Sequence, residues 1–68
     1  MVNYIHNTAT AITEVIGTDG TRIGVYRSDA SQGAFVGTAA DGTRHTEQTR
    51  RNMRRWFEDR DRAARGVE

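Results

Sequence analysis

The sequence predicts an α+β domain: a small antiparallel sheet of three strands, with a fourth available in Val2–His6, followed by one C-terminal amphipathic helix packed on it. Three observations predict it. Residues 1–43 are rich in Thr, Val, Ile, Gly and aromatic side chains, the composition of short strands. Asp-Gly dipeptides stand at Asp19-Gly20 and Asp41-Gly42, the strongest short hairpin signal. From residue 46 onward, apolar side chains recur at helical spacing in a run dominated by arginine.

In chain order, Val2–His6 supplies the optional fourth strand, and the main strands are Thr10–Ile16, Thr21–Ser28 and Gly33–Ala39. Thr43–Thr46 adds a stub after the second turn. Strict alternation along Thr21–Ser28 puts Ile23 and Val25 on one face with Thr21 and Arg27, and Arg22, Gly24 and Tyr26 on the other. Such two-sided content suits a sheet with one covered face. The strings Gly17-Thr18-Asp19-Gly20-Thr21-Arg22 and Gly37-Thr38-Ala39-Ala40-Asp41-Gly42-Thr43-Arg44 read as one turn used twice. A type I′ geometry is expected at each, because Asp and Gly tolerate the positive φ it needs.

The stretch Val15-Ile16-Gly17-Thr18-Asp19-Gly20-Thr21-Arg22-Ile23 resembles the V-I-G-x-x-G-x-x-I element of KH domains, whose Gly loop clamps a single-stranded backbone. That resemblance implies helices at Thr8–Ile16 and Thr21–Ala30. It covers nine residues, and Asp19 stands where the family places a basic residue, so the loop would repel phosphate. The second Asp-Gly turn favours the hairpin.

Residues 46–65 form the helix, with Thr46 as N-cap, Glu47 in the first turn and Gly66 ending it. Thr46, Thr49, Met53, Trp56, Phe57, Arg60, Ala63 and Ala64 share a face about 120° wide at 100° per residue. Arg51, Arg54, Arg55, Arg62 and Arg65 occupy the opposite side with Glu47 and Glu58. Glu58 lies at helical spacing from Arg54, Arg55 and Arg62, so it can compensate that stripe.

Sixty-eight residues make a single domain, 1–68, and exclude a two-domain enzyme with an interdomain cleft. The chain has no Leu, Lys, Pro or Cys, against nine Thr, eight Ala, seven Gly and ten Arg. Without cysteine there is no disulfide, thiolate metal site or cysteine nucleophile. No apolar run approaches the length of a membrane span, and the Met1 end lacks a signal-peptide pattern, so a cytoplasmic or virion-associated, non-secreted protein is expected. His6 stands alone, and His45 lies among Asp41, Thr43 and Thr46 with no ligand or triad spacing. No enzyme, metal, cofactor or small-molecule substrate is expected.

The formal charge of +1 conceals a polarised chain. Residues 1–43 hold two arginines against four acids, about −2, and residues 44–68 hold eight against five, about +3. So small a chain, without a staple, gains from company. The leading expectation is therefore a non-catalytic accessory protein, an inhibitor, assembly or structural factor, contacting another protein or its own copies. Phage and mobile-element factors are often this size, and an arginine-only basic set suggests a GC-rich genome. Tyr26 and Phe35 on the uncovered sheet face and Arg60 in mid-stripe are the candidate protein interface. The alternative is a small DNA- or RNA-binding domain. Arg51, Arg54, Arg55, Arg62 and Arg65 are the candidates for contact with nucleic acid or an acidic partner.

Overall fold

In a computed structural model describing residues 1–66, the chain runs through five antiparallel strands in simple up-and-down order and ends in one helix. The strands are β1 (Asn3–Asn7), β2 (Ile12–Ile16), β3 (Arg22–Asp29), β4 (Ala34–Ala39) and β5 (Arg44–Glu47), and the helix is α1 (Arg50–Ala64). The α+β class holds, and the count of three or four strands is corrected to five. Both outer strands are short and mostly polar, N-Y-I-H-N and R-H-T-E, so neither advertises the apolar alternation of a half-buried strand.

The two Asp-Gly turns do share one geometry. Gly20 N–H donates to the Gly17 carbonyl at 2.9 Å and Gly17 N–H to the Thr21 carbonyl at 2.8 Å; Gly42 and Ala39 repeat both bonds at 2.9 and 2.8 Å. Asp19 and Asp41 each accept from the backbone N–H two residues on, at 3.0 and 2.9 Å. Only the glycines have positive φ, +87° and +91°. Each turn is therefore a type I turn closed by a left-handed glycine, and the type I′ expectation is corrected. The KH-like string forms the β2–β3 hairpin, so the helices that resemblance implied are absent.

Pairing across the sheet fixes its faces. Tyr4 pairs with Val15, Val15 with Gly24, and Gly24 with Ala39, while Thr13, Tyr26 and Gly37 form a second row. Both rows face α1. A register shift between Val15 and Ile16 leaves Ile23 without a partner on β2. This bulge interrupts the alternation: Ile23 joins the helix-side core, and Arg22 reaches Glu14 at 3.3 Å on the other face. The expected grouping of Ile23 with Val25 is thereby corrected. The face away from α1 carries Ile5, which is 54% exposed, and the half-buried Ile12, Ile16 and Val25.

Val15, Tyr26, Met53 and Phe57 form the buried core, with Val2, Tyr4, Ile23, Phe35 and Trp56 packed against it. The helix can sit this low because two sheet positions lack side chains. A Cβ at Gly24 would stand 2.5 Å from Phe57 Cε1, and one at Gly37 2.7 Å from Met53 Sδ. Burying Phe57 alone supplies about 2–3 kcal/mol.

The N-cap is Thr49, not Thr46: its hydroxyl accepts from Asn52 N–H at 3.1 Å, while Thr46 and Glu47 belong to β5. The capping chemistry is the expected one, one turn later, because the backbone of Arg44–Glu47 pairs with β4. At the other end Gly66 takes φ +71° and donates to the Ala63 carbonyl at 3.1 Å, as expected of a helix-ending glycine.

Candidate functional site

Helix phase decides what each arginine of α1 meets. Met53 and Phe57 point into the sheet, and Arg54 lies roughly 100° round the axis from Met53, close enough to fold back beneath the helix. Its guanidinium carbon sits 4.3 Å from the Tyr4 ring centroid, and its Nε donates to the Tyr26 hydroxyl at 3.2 Å. That hydrogen bond raises the Arg54 pKa. Arg54 is thus half-buried and belongs to the solvated stripe only in part.

Arg62 and Arg65 are engaged within the helix. Arg62 pairs with Asp59 at 3.2 Å, and Arg65 Nε with Asp61 at 3.1 Å. Asp61 does more, accepting from both the backbone N–H and the hydroxyl of Thr18 at 3.1 and 2.8 Å. Those bonds, the Thr18 hydroxyl foremost, hold its carboxyl below the usual range. Arg60, on the other flank, pairs with Asp41 at 2.8 Å and lies 4.9 Å from the Trp56 ring centroid. Asp41 titrates low, chiefly because Thr43 N–H donates to it, with Arg60 adding to the effect.

Arg51 and Arg55 remain on the outer surface and pair with no described carboxylate. Arg50 resembles them in that respect and lies 5.9 Å from the Phe35 ring. Four guanidiniums therefore share the first two turns, where Arg50, Arg51, Arg54, Arg55 and Glu58 line a shallow depression of about 420 Å³. Glu58 forms no ion pair with these arginines; its carboxylate accepts from the Tyr4 hydroxyl at 2.8 Å, and the compensation expected of it reaches Arg54 through space. Burial, then Glu58, push the Tyr4 hydroxyl pKa up. No acid occupies the first turn of α1.

The aromatic candidates move to the opposite face from the one expected. Tyr26 is 3% exposed beneath α1 and meets Phe35 edge-on, ring centroids 6.2 Å apart. Neither lines the uncovered sheet face, because the pairing of Tyr26 with Gly37 sets both rings on the helix side. Trp56 is half-buried, with the His45 ring stacked on it at 4.5 Å and 6° between planes. His45 is thus a packed side chain with its Nε2 2.5 Å from Glu47 Oε2, rather than a freely solvated loop histidine.

Sequence reasoning missed Arg50, His6 and Thr13, which converge on one recess with Arg54. No local signal unites residues from β1, β2 and α1. Among the described residues no group of three His, Cys, Asp or Glu side chains is placed to hold a metal ion, and no helix is long and apolar enough to cross a membrane. Comparison with protein-family models, curated proteins and solved structures returns no match to this chain.

Proposed function

We propose that the chain is a non-catalytic accessory protein that works by contact with an acidic surface on another protein, through the N-terminal half of α1. The observation that carries this reading is the cluster Arg50, Arg51, Arg54 and Arg55, four guanidiniums around one Glu58, none of which forms an ion pair with a described carboxylate. Cations in the first turn of a helix oppose the macrodipole, each by roughly 0.3–1 kcal/mol, so Arg50 and Arg51 do not favour the helix by their charge; of the four, Arg54 holds it to the sheet. Guanidiniums are suited to planar, bidentate recognition of carboxylates and keep their charge under all cellular conditions.

An extended nucleic-acid backbone is the second reading, favoured by the outward exposure of Arg51 and Arg55. The patch is short for that purpose. Glu58, Asp59 and Asp61 follow within two turns, so a polyphosphate laid along the helix axis would meet carboxylates after a few contacts.

Fluorescence anisotropy with a labelled Glu-rich peptide and a labelled short duplex separates the two. The peptide is expected to bind more tightly, with affinity falling as salt rises, and the double variant Arg51→Ala/Arg55→Ala is expected to lose it. Tighter binding of the duplex transfers the function to nucleic acid. Absence of binding to either at low salt leaves the patch a solvated face and overturns both readings. Light scattering on the same samples reports self-association: a mass above one chain that persists in the double variant would move the working contact away from α1.

A further inference from the structure

Between β1, β2, β3 and the first two turns of α1 lies a recess of about 280 Å³ lined by Tyr4, His6, Thr13, Tyr26, Arg50 and Arg54. Its walls hold hydrogen-bond donors and no carboxylate. Tyr26, 3% exposed, accepts from Arg54 Nε through its hydroxyl oxygen, and its own proton has no acceptor among the described residues. A tyrosine hydroxyl both donates and accepts, so a nearly buried donor is left unused. Arg54 offers five N–H groups and uses one on Tyr26. Arg50 pairs with no described carboxylate and approaches only the Phe35 ring.

His6 Nδ1 and the Thr13 hydroxyl share a hydrogen bond of 2.9 Å, which fixes the imidazole and leaves Nε2 unpaired among the described residues; in the tautomer whose Nδ1 accepts from Thr13, Nε2–H is a free donor. Thr13, 6% exposed, holds that arrangement from beneath. The nearby acid on α1, Glu58, keeps its charge but lies outside the lining, its carboxylate accepting from the Tyr4 hydroxyl.

We propose that this recess is a binding seat for a phosphoryl group, either inorganic phosphate or the terminal phosphate of a small monoester. The donors come from separate elements: two guanidiniums from the helix, a hydroxyl from β3 and an imidazole from β1. Such a spread suits an oxyanion with oxygens in several directions better than a planar carboxylate. Guanidinium pairs with phosphate by charge-assisted hydrogen bonds, the stronger class. The seat shares Arg50 and Arg54 with the outer-surface cluster but not Arg51 and Arg55, so variants at those two positions separate the two readings.

Isothermal titration with inorganic phosphate and with glycerol phosphate, at ionic strength held constant with chloride, tests the seat. Saturable one-site binding is expected. His6→Gln and Arg50→Gln are each expected to weaken it about tenfold, the scale of one charge-assisted hydrogen bond, with an unchanged melting temperature in the absence of phosphate. Arg51→Ala/Arg55→Ala is expected to retain phosphate binding in full, so failure of the acidic-partner reading and failure of the seat are told apart. Equal affinity for the ester assigns the seat to monoesters; preference for inorganic phosphate assigns it to the free ion. No saturable binding of either, or binding indifferent to both His6→Gln and Arg50→Gln, overturns the proposal.

Discussion

In the C-terminal half of α1, Arg60, Arg62 and Arg65 each reach a carboxylate, at 2.8, 3.2 and 3.1 Å. In the N-terminal half Arg54 reaches a hydroxyl and a ring, and Arg50, Arg51 and Arg55 reach no described acid. The residue type is the same, so the difference lies in which acids are within reach: Asp59 and Asp61 on the helix itself for Arg62 and Arg65, and Asp41 of the second Asp-Gly turn for Arg60. The C-terminal half passes over the two Asp-Gly turns, which contribute Asp41 and the Thr18 donors. The N-terminal half passes over Tyr4 and Phe35, which take a cation over a ring face, and over the Tyr26 hydroxyl, which accepts from Arg54; none of the three can neutralise the charge. One half clamps the helix to the loops; the other leaves charge to be satisfied from outside.

The most severe way to break that contrast is to remove the core that both halves share. Phe57 is fully buried against Tyr26 and Trp56, so Phe57→Ala is expected to cost about 3–5 kcal/mol in urea unfolding. At this size that is a large share of the total stability. A cost below about 1 kcal/mol would show that the helix is held mainly by its polar clamps.

Next comes the clamp itself. Asp61 is 5% exposed and anchors the Thr18 turn and Arg65, so Asp61→Asn is expected to lower the melting temperature at neutral pH. Its carboxyl is depressed in the folded chain. Its contribution is therefore complete above the ordinary Asp value of about 4 and is lost as pH falls through the lower folded value. Melting temperature should decline less steeply below pH 4 in Asp61→Asn than in the parent, with Asp29 and Asp41 supplying what slope remains. Parallel declines in the two proteins would remove Asp61 from the clamp.

The smallest effect sharpens the comparison from the other side. Arg51→Ala/Arg55→Ala is expected to change unfolding free energy by less than about 0.5 kcal/mol per site, because neither side chain holds anything in the fold. A clear loss of stability would give these arginines an anchoring role and weaken the case for a partner.

The parts of the fold that could be read from the chain are those fixed by neighbours in sequence. Both Asp-Gly turns, the three central strands and the Met53–Trp56–Phe57 stripe depend on residues within a few positions of one another, and each lies where its pattern places it. Turn type was misread because a single left-handed glycine closes each loop. β5 lies one residue later than the stub expected at Thr43–Thr46; that stub stays outside the strand count because a polar tetrapeptide becomes a full strand only when β4 offers its edge. Once β5 claims Thr46 and Glu47, the helix starts later and its first turn loses its acid.

The candidate site was legible in composition and not in geometry. Arginine in the last third was plain, whereas the covered position of Tyr26, the inward turn of Arg54 and the joining of His6 and Thr13 to Arg50 required the assembled sheet. Tyr4 engages Glu58 across 54 positions and Arg60 engages Asp41 across 19.

By itself, the sequence determined the class of fold, the places where the chain reverses, and the presence of an arginine-bearing amphipathic helix. Those follow from local backbone preference and from the periods of strand and helix. Helix spacing places Asp59 and Asp61 within reach of Arg62 and Arg65, whereas tertiary structure alone decided the partners of Arg60 and Arg54. Those contacts depend on distances of about 3–5 Å between groups far apart in the chain, which exist only after the helix has settled onto Gly24 and Gly37.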